Sequence, residues 1–314
     1  MLHGTLAKLA GIVRFQPRLA ILMYHRVLSQ FDPFLKGDVT KEVFNWQVQI
    51  LAKHFNVETL DNALKQLNDG TLKQGTVCIT FDDGYADNHS LALPILKKHK
   101  VPATFFISTG HLNGGIMWND VVIESIRGIE QTEVDLRPIG LSTFSTSNDK
   151  EKVDSVKKIV AGLKYLGMDE RFDKVMELNR ISNVKLPDAI MMTDDEVLDL
   201  DAQGMEIGAH TLSHPILERL PLVDAEKEIR GSKEYLEQLL EKKVTTFAYP
   251  NGKYNIDYTD AHVEILKSIG FSGAVSTNWG SAAVGNDIYQ LPRISSWDKS
   301  PEKFLYRVLK SYWQ

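Results

Sequence analysis

The feature that most constrains the fold of this chain is a repeated alternation of short apolar runs with longer stretches of helical periodicity. Runs such as residues 76–81 (TVCITF) contain the β-branched, small and aromatic residues that fill buried strands. Repeated strand and helix units of this number predict an α/β fold with a parallel sheet. Closure of the sheet into a (β/α) barrel would cover its edges.

The periodicity predicts elements along most of the chain. Strands are expected at residues 19–27, 56–60, 76–81, 102–109, 205–211, 245–250, 271–276 and 288–295. Helices are expected at residues 41–54, 61–67, 89–100, 194–203, 223–240, 260–269 and 301–312.

The alternation breaks between about residues 114 and 194, where helical stretches predominate around the polar run STFSTSND. We interpret this segment as a helical insertion in a barrel domain of residues 19–314. A lid or a substrate wall is the expected role, and plain packing is the alternative.

Composition limits the classes of partner. The 314 residues are 43% hydrophobic and carry a net charge of −5, and the basic residues are scattered, which argues against nucleic acid. The single cysteine, Cys78, lies in a predicted core strand. No intrachain disulfide can form, and a metal site would need His, Asp or Glu.

The first 18 residues form an amphipathic segment whose apolar face is interrupted by Lys8, Arg14 and Arg18. This pattern predicts neither a signal peptide nor a membrane-spanning helix, and so a cytoplasmic location. A short helix resting on a membrane surface remains an alternative, which would make the protein membrane-associated.

Polar side chains follow several predicted strands, where the catalytic groups of (β/α) barrels lie. His210 and His214 are four residues apart after one strand, and Asp82 and Asp83 end another. Two imidazoles and one carboxylate can bind a divalent metal and leave a position open for water. The remaining carboxylate can then act as a base. Backbone hydrogen bonding by the histidines and a turn or helix cap at the aspartates are the structural alternatives.

The stretches TFDDG (residues 80–84), HTLSH (210–214) and FAYPNG (247–252) resemble the three main motifs of the polysaccharide deacetylases, carbohydrate esterase family four. The resemblance extends from about residue 19 to the end of the chain. It implies the NodB homology domain, a distorted (β/α)7 barrel related to the TIM barrel, and metal-dependent removal of acetyl groups from N-acetylated sugars. It also implies that Asp82 is the catalytic base and that Asp83, His210 and His214 bind the metal.

The sequence departs from the common family pattern at the third motif, which lacks an arginine, and near its end, where LPRISSWD contains no histidine. LMYHRV (residues 22–27) instead resembles the exopolysaccharide deacetylases with a permuted motif order. That resemblance implies His25 as the general acid that protonates the leaving amine. A histidine that serves only structure beneath the rim is the alternative.

Two more residues have expected roles near the reaction. Arg293 can orient Asp82 through a bidentate ion pair and replace the missing arginine, although a structural salt bridge is an equal alternative. The backbone N–H of Asn251 matches the family position that binds the developing oxyanion.

The predicted substrate contacts are Tyr249 with the adjoining Pro250, and Trp297, whose aromatic rings can stack on sugars or belong to the core. The expected function is N-deacetylation of a polysaccharide or oligosaccharide with one divalent ion, zinc first and cobalt, nickel or manganese as alternatives. An O-acetyl esterase or amidase acting on a small or lipid-linked saccharide, and a non-catalytic carbohydrate-binding barrel, are the rival functions. The oligomeric state is left open.

Overall fold

The structure is a computed structural model that describes residues 17–313. The N-terminal amphipathic segment therefore lies almost wholly outside the described residues. The strands are β1 (Arg18–Tyr24), β2 (Val27–Leu28), β3 (Val39–Thr40), β4 (Asn56–Glu58), β5 (Thr76–Phe81), β6 (Thr104–Ile107), β7 (Glu133–Asp135), β8 (Thr143–Ser145), β9 (Glu206–Ala209), β10 (Thr246–Ala248), β11 (Gly273–Trp279), β12 (Ala282–Ala283) and β13 (Leu291–Ser295).

The helices cover the outside of the sheet and form the insertion. In chain order they are α1 (Lys41–His54), α2 (Leu60–Asn68), α3 (Leu93–His99), α4 (Trp118–Gly128), α5 (Asp149–Leu163), α6 (Met168–Ser182), α7 (Asp194–Ala202), α8 (Leu222–Leu240), α9 (Asp260–Ile269) and α10 (Pro301–Ser311). The predicted helix at residues 89–100 begins with a π-helical turn, Asn88–Ala92, and continues as α3.

Seven parallel strands close into a barrel, in the order β1, β13, β11, β10, β9, β6 and β5, with β5 pairing back to β1. The closing pair is in continuous register from Leu19↔Thr76 to Tyr24↔Phe81. Short strands β4 and β12 add to the outside of β5 and β1. The prediction of a (β/α)7 barrel is confirmed.

The barrel core forms because the strands are apolar along their whole length. Every residue of β5 is buried, Cys78 included, as two-sided burial in a parallel sheet requires. Helix α1 adds the apolar stripe of Phe44, Val48 and Leu51. It begins at Thr40, whose hydroxyl accepts a hydrogen bond from the Val43 N–H.

The insertion follows β6 and ends before α7, and it contains the expected helices together with two short strands that were not predicted. Helices α4, α5 and α6 enclose a separate apolar cluster that includes Ile126, Ile159 and Leu178. Strands β7 and β8 form an antiparallel hairpin in which Val134 pairs with Phe144. Each strand is only three residues long and alternates one buried residue with exposed ones, too short to stand out in a polar sequence.

Within residues 17–313, no helix combines the length and the apolar composition that crossing a membrane requires.

Candidate active site

A cavity of about 530 Å³ lies at the carboxyl ends of the barrel strands, between the rim and the insertion. Most of the predicted site residues line it: His25, Asp82, Asp83, His210, His214, Asn251 and Trp297. The insertion contributes a second wall that includes Trp118, Lys164 and Arg171. The structure therefore brings distant segments of the sequence to one place.

Asp83, His210 and His214 form a compact cluster whose ligand atoms all lie within 4.8 Å of one another. The Nε2 atoms of both histidines are 3.4 Å from Asp83 Oδ1. All three side chains are largely buried, so the cluster opens only toward the cavity.

The donor atoms of this cluster fit a divalent cation. The buried Oδ1 of Asp83 has no hydrogen-bond donor among residues 17–313, and His210 Nδ1 lies 2.7 Å from the Ala248 carbonyl oxygen. Nδ1 must be the protonated nitrogen to donate to that carbonyl, which leaves the Nε2 lone pair facing Asp83. Two neutral imidazole nitrogens and one carboxylate oxygen are the ligands of a catalytic metal site with an open position.

Burial and charge act in opposite directions on this cluster. Burial raises the pKa of Asp83, but the neighbouring histidines His210, His214 and His25 outweigh it and hold the pKa well below its usual range. Burial lowers the pKa of His214 to about 3. An ionised aspartate and a neutral histidine are the protonation states that metal binding needs.

The loops that carry the cluster use backbone conformations that are rare for non-glycine residues. Asp83, Thr211 and His214 have φ values of 78°, 66° and 55°. The loop after β9 is fixed by Glu228, whose carboxylate accepts hydrogen bonds from the N–H groups of Leu212 and Ser213 at 3.0 and 2.8 Å. The strained turns aim the three ligand side chains inward.

Asp82 is held by Arg293 through two hydrogen bonds of 2.7 Å, one to each carboxylate oxygen. Arg293 is 1% exposed, lies within β13, and also donates to the Ser276 carbonyl and the Thr80 hydroxyl. Burial raises the pKa of Asp82, but Arg293 outweighs it and lowers the pKa overall. Asp82 is therefore an oriented, ionised carboxylate beside the metal-type cluster.

His25 follows β1 and lines the cavity, while its carbonyl accepts a hydrogen bond of 2.8 Å from Asn88 Nδ2. Asp38 lines the same cavity. Burial raises the pKa of Asp38 to about 6, and the charge of His25 is the largest effect that opposes burial. The two groups are therefore close enough for the charge of His25 to stabilise the ionised Asp38 carboxylate.

Asn251 has a φ of 59° in the turn after β10. The Gly252 N–H donates to the Pro250 carbonyl at 2.6 Å and the Thr277 hydroxyl donates to the Asn251 carbonyl at 2.6 Å. Among residues 17–313, the Asn251 N–H itself has no acceptor, and the residue lines the cavity. This N–H is available to a ligand.

The structure contradicts two of the predicted substrate contacts. Tyr249 is 1% exposed and its ring stacks on Tyr258 at 3.7 Å, because residues along β10 alternate between the barrel interior and the helix layer. Pro250 is also buried, and neither residue lines the cavity. Trp297 does line it, with 52% of its surface exposed.

The cavity residues that the sequence prediction missed include Asp38, Tyr85 and Asp120. Asp38 has no motif around it, and Tyr85 and Asp120 meet only in the folded chain, where the Tyr85 hydroxyl donates to Asp120 Oδ2 at 3.0 Å. Burial raises the pKa of Asp120 to about 7. Tyr85 directly follows the TFDDG motif, the one signal that could have drawn attention to it.

A closed parallel barrel with an Asp/His/His cluster and a separate arginine-bound aspartate at its rim defines a (β/α)-barrel enzyme with the layout of a hydrolase. The polysaccharide deacetylase family matches this chain over residues 69–137 and 143–274. The chain belongs to that family and is an enzyme of the polysaccharide deacetylase class. The matched residues include Asp82, Asp83, His210 and His214, whereas His25 and Arg293 lie outside them.

Individual relatives extend the comparison. YxkH of Bacillus subtilis (strain 168) is 22% identical over 284 residues, which cover 88% of this chain and 71% of that protein. The poly-beta-1,6-N-acetyl-D-glucosamine N-deacetylase of Staphylococcus epidermidis is 35% identical over 104 residues, but these cover only 29% of this chain and 36% of that enzyme.

Among solved structures, the deacetylase PplD of Streptococcus pyogenes, in complex with acetate, has the same fold. Its TM-score is 0.63 at 22% identity, over 94% of this chain and 99% of that one.

Proposed function

We propose that this chain is a metal-dependent N-deacetylase that removes acetyl groups from N-acetylated sugars of a polysaccharide or oligosaccharide. The observation on which the proposal rests is the convergence of Asp83, His210 and His214 within 4.8 Å, next to an Asp82 that Arg293 orients. Family membership and the name of the staphylococcal relative support an N-acetyl sugar as the substrate.

The proposed ligands are Asp83 Oδ1 and the Nε2 atoms of His210 and His214. A divalent ion bound there, zinc first and cobalt, nickel or manganese as alternatives, would lower the pKa of a bound water to about 7 and polarise the acetyl carbonyl. The hydrogen bond from His210 to Ala248 keeps that ring in the ligating tautomer.

Asp82 accepts the proton of the attacking water. Arg293 lowers the pKa of Asp82 and so keeps its carboxylate ionised. The bidentate pair also fixes the orientation of the carboxylate toward the attacking water. The water oxygen forms a bond to the acetyl carbon, and negative charge develops on the carbonyl oxygen. The N–H of Asn251, which has no acceptor among residues 17–313, donates a hydrogen bond to that oxygen.

His25 completes the reaction by donating a proton to the departing nitrogen as the carbon–nitrogen bond breaks. The Asp38 carboxylate, which lines the same cavity, lies close enough to His25 for the two groups to interact. The products are acetate and a free amino sugar; the proton on Asp82 then leaves to solvent, and His25 takes up a proton from solvent.

Acetate release from N-acetylglucosamine oligomers, measured with and without a chelator, tests the proposal. We expect release that the chelator abolishes and that added metal restores. Release from O-acetylated but not N-acetylated saccharides would favour the esterase alternative. Saccharide binding without release from either substrate would favour a barrel that lost its activity, and both of these results would contradict the proposal.

A further inference from the structure

The insertion side of the cavity presents a buried cation without a counter-ion. Arg171, in α6, is 6% exposed and lines the cavity. Its Nη1 donates to the Lys164 carbonyl at 3.1 Å, and the guanidinium carbon lies 4.9 Å from the centre of the Trp118 ring. Within residues 17–313 no carboxylate lies at ion-pair distance from it.

This arrangement is unusual for the chain. Arg293, the other buried arginine of the described region, has both arms on Asp82. A guanidinium stays charged when buried, so an unpaired one is costly and leaves several N–H donors without acceptors. Burial lowers the pKa of Arg171 with no acidic neighbour to oppose it.

A second cation lies beside Arg171. Lys164 also lines the cavity, is partly buried, and has no carboxylate partner among the described residues; its ammonium is 5.5 Å from the Tyr165 ring centre. Asp82 binds Arg293 and Asp120 binds Tyr85, and no carboxylate of the described residues forms an ion pair with either cation. The two cations therefore remain available to something that enters the cavity.

We propose that Arg171 and Lys164 form an anion-binding subsite, so that the preferred substrate is an N-acetylated saccharide with a phosphate or carboxylate group near the sugar that is deacetylated. This inference rests on the proposed function and names its substrate class. The planar guanidinium matches the oxygen pair of either anion. The Trp118 ring packs against the guanidinium and fixes its orientation.

Binding is measured first, on the full chain with Asp82→Asn so that no turnover occurs. The probes are tri-N-acetylglucosamine, the same trimer with a reducing-end phosphate, and an equally long oligomer that contains glucuronic acid. We expect Kd for at least one anionic probe to be about tenfold lower than for the neutral trimer, as charge-assisted hydrogen bonds give. Preference for the phosphate or the glucuronate probe identifies the anion. Equal Kd values for all three probes would overturn the proposal.

Further substitutions in the Asp82→Asn chain show which residues cause the tighter binding of the anionic probes. Arg171→Gln and Lys164→Gln should each remove most of the advantage, and Arg171→Lys should keep part of it. Arg180→Gln is the matched control, because Arg180 is exposed on the same helix and pairs with Glu177. If Arg171→Gln does not fold, the partly buried Lys164 still decides the question. An advantage that persists in Lys164→Gln and Arg171→Lys alike would contradict the subsite.

Acetate release by the unmodified chain separates this inference from the proposed function. Release from the neutral trimer without any anion-dependent binding would disprove the subsite and leave the function standing. Anion-dependent binding that Lys164→Gln abolishes, with no acetate release from any probe, would support the subsite and contradict the proposed reaction.

Discussion

The barrel rim and the helical insertion meet at one cavity, but they hold their side chains in different ways. The rim turns contain non-glycine residues with positive φ, including His214 (55°), Asn251 (59°), Thr211 (66°) and Asp83 (78°). In the insertion, Asn183 also has a positive φ, but it caps the C-terminus of α6, where a left-handed residue is common.

This difference indicates a division of labour. Rim side chains extend from paired strands and are fixed by strained turns, so their atoms have little freedom. The insertion wall consists of helices with a separate apolar cluster, which can change in sequence without disturbing the strands. We therefore expect rim substitutions to lower kcat on every substrate and insertion substitutions to change which substrate is preferred.

The largest effects should come from the paired aspartates of the rim. Asp83→Ala should lose bound metal and activity together, because it removes the anionic ligand. Asp82→Asn should keep the metal and lose about 10²–10⁴-fold in kcat, because it removes the base. Metal content and acetate release measure the two outcomes.

The melting temperature of Asp82→Asn should also be measured. It should fall, because Arg293 loses its buried counter-ion in this variant. Full metal occupancy and turnover in Asp83→Ala would refute the ligand assignment. Unchanged kcat in a folded Asp82→Asn would refute the base.

His25 provides the next test of the rim. His25→Ala should lower kcat for N-acetyl substrates by about 10²–10³-fold, because the amine then leaves without a proton. The loss should be much smaller for p-nitrophenyl acetate, whose leaving group needs no acid. His89→Ala serves as the control, since His89 binds Asp199 and does not line the cavity. An equal loss on both substrates would assign His25 a structural role.

Much of the fold could be predicted because local pattern and global topology agree. The helix at residues 41–54 and the strand at residues 76–81 match the structure, since each has one clear period and clear ends. The β7–β8 hairpin was missed because its strands are too short to show a period. Tyr249 was misplaced because the sequence does not show which face of β10 points into the cavity.

The same distinction between local sequence pattern and tertiary contact applies to the site residues. Asp82, Asp83, His210 and His214 lie within two short motifs, so local sequence was enough to nominate them. Residues on the second wall derive their importance from tertiary contacts. Arg171 is notable only because no carboxylate of residues 17–313 lies at ion-pair distance from it, and Asp38 only because the fold places it near His25.

Asp120 links the insertion to the rim through Tyr85, and its titration tests how tightly the two regions are joined. Burial raises its pKa from 3.8 to about 7, so the folded protein retains a proton that the unfolded chain releases above about pH 4. The free energy of unfolding should therefore fall as pH rises from about 4 to about 7 and level off above about pH 7.

Asp120→Asn removes this penalty and can still accept the Tyr85 hydrogen bond. Relative to the unmodified chain, the variant should gain on the order of 2 kcal/mol between about pH 5 and about pH 8. Urea unfolding at the two pH values, with chelator present throughout, measures the difference. A stability difference that is constant with pH would mean that Asp120 is hydrated and that the insertion is loosely joined to the rim.

The smallest effect concerns Trp297, which follows β13 on the rim and is 52% exposed. Trp297→Ala should raise KM for oligosaccharides about 2–10-fold and leave kcat nearly unchanged, because stacking on a sugar stabilises ground and transition states alike. Folding should hold, since Arg307, which lies over the ring, keeps its pair with Asp298. Trp279→Ala is the control, because Trp279 is 42% exposed but lines a different cavity. A fall in kcat equal to that in kcat/KM would place Trp297 with the catalytic rim and weaken the division between the two regions.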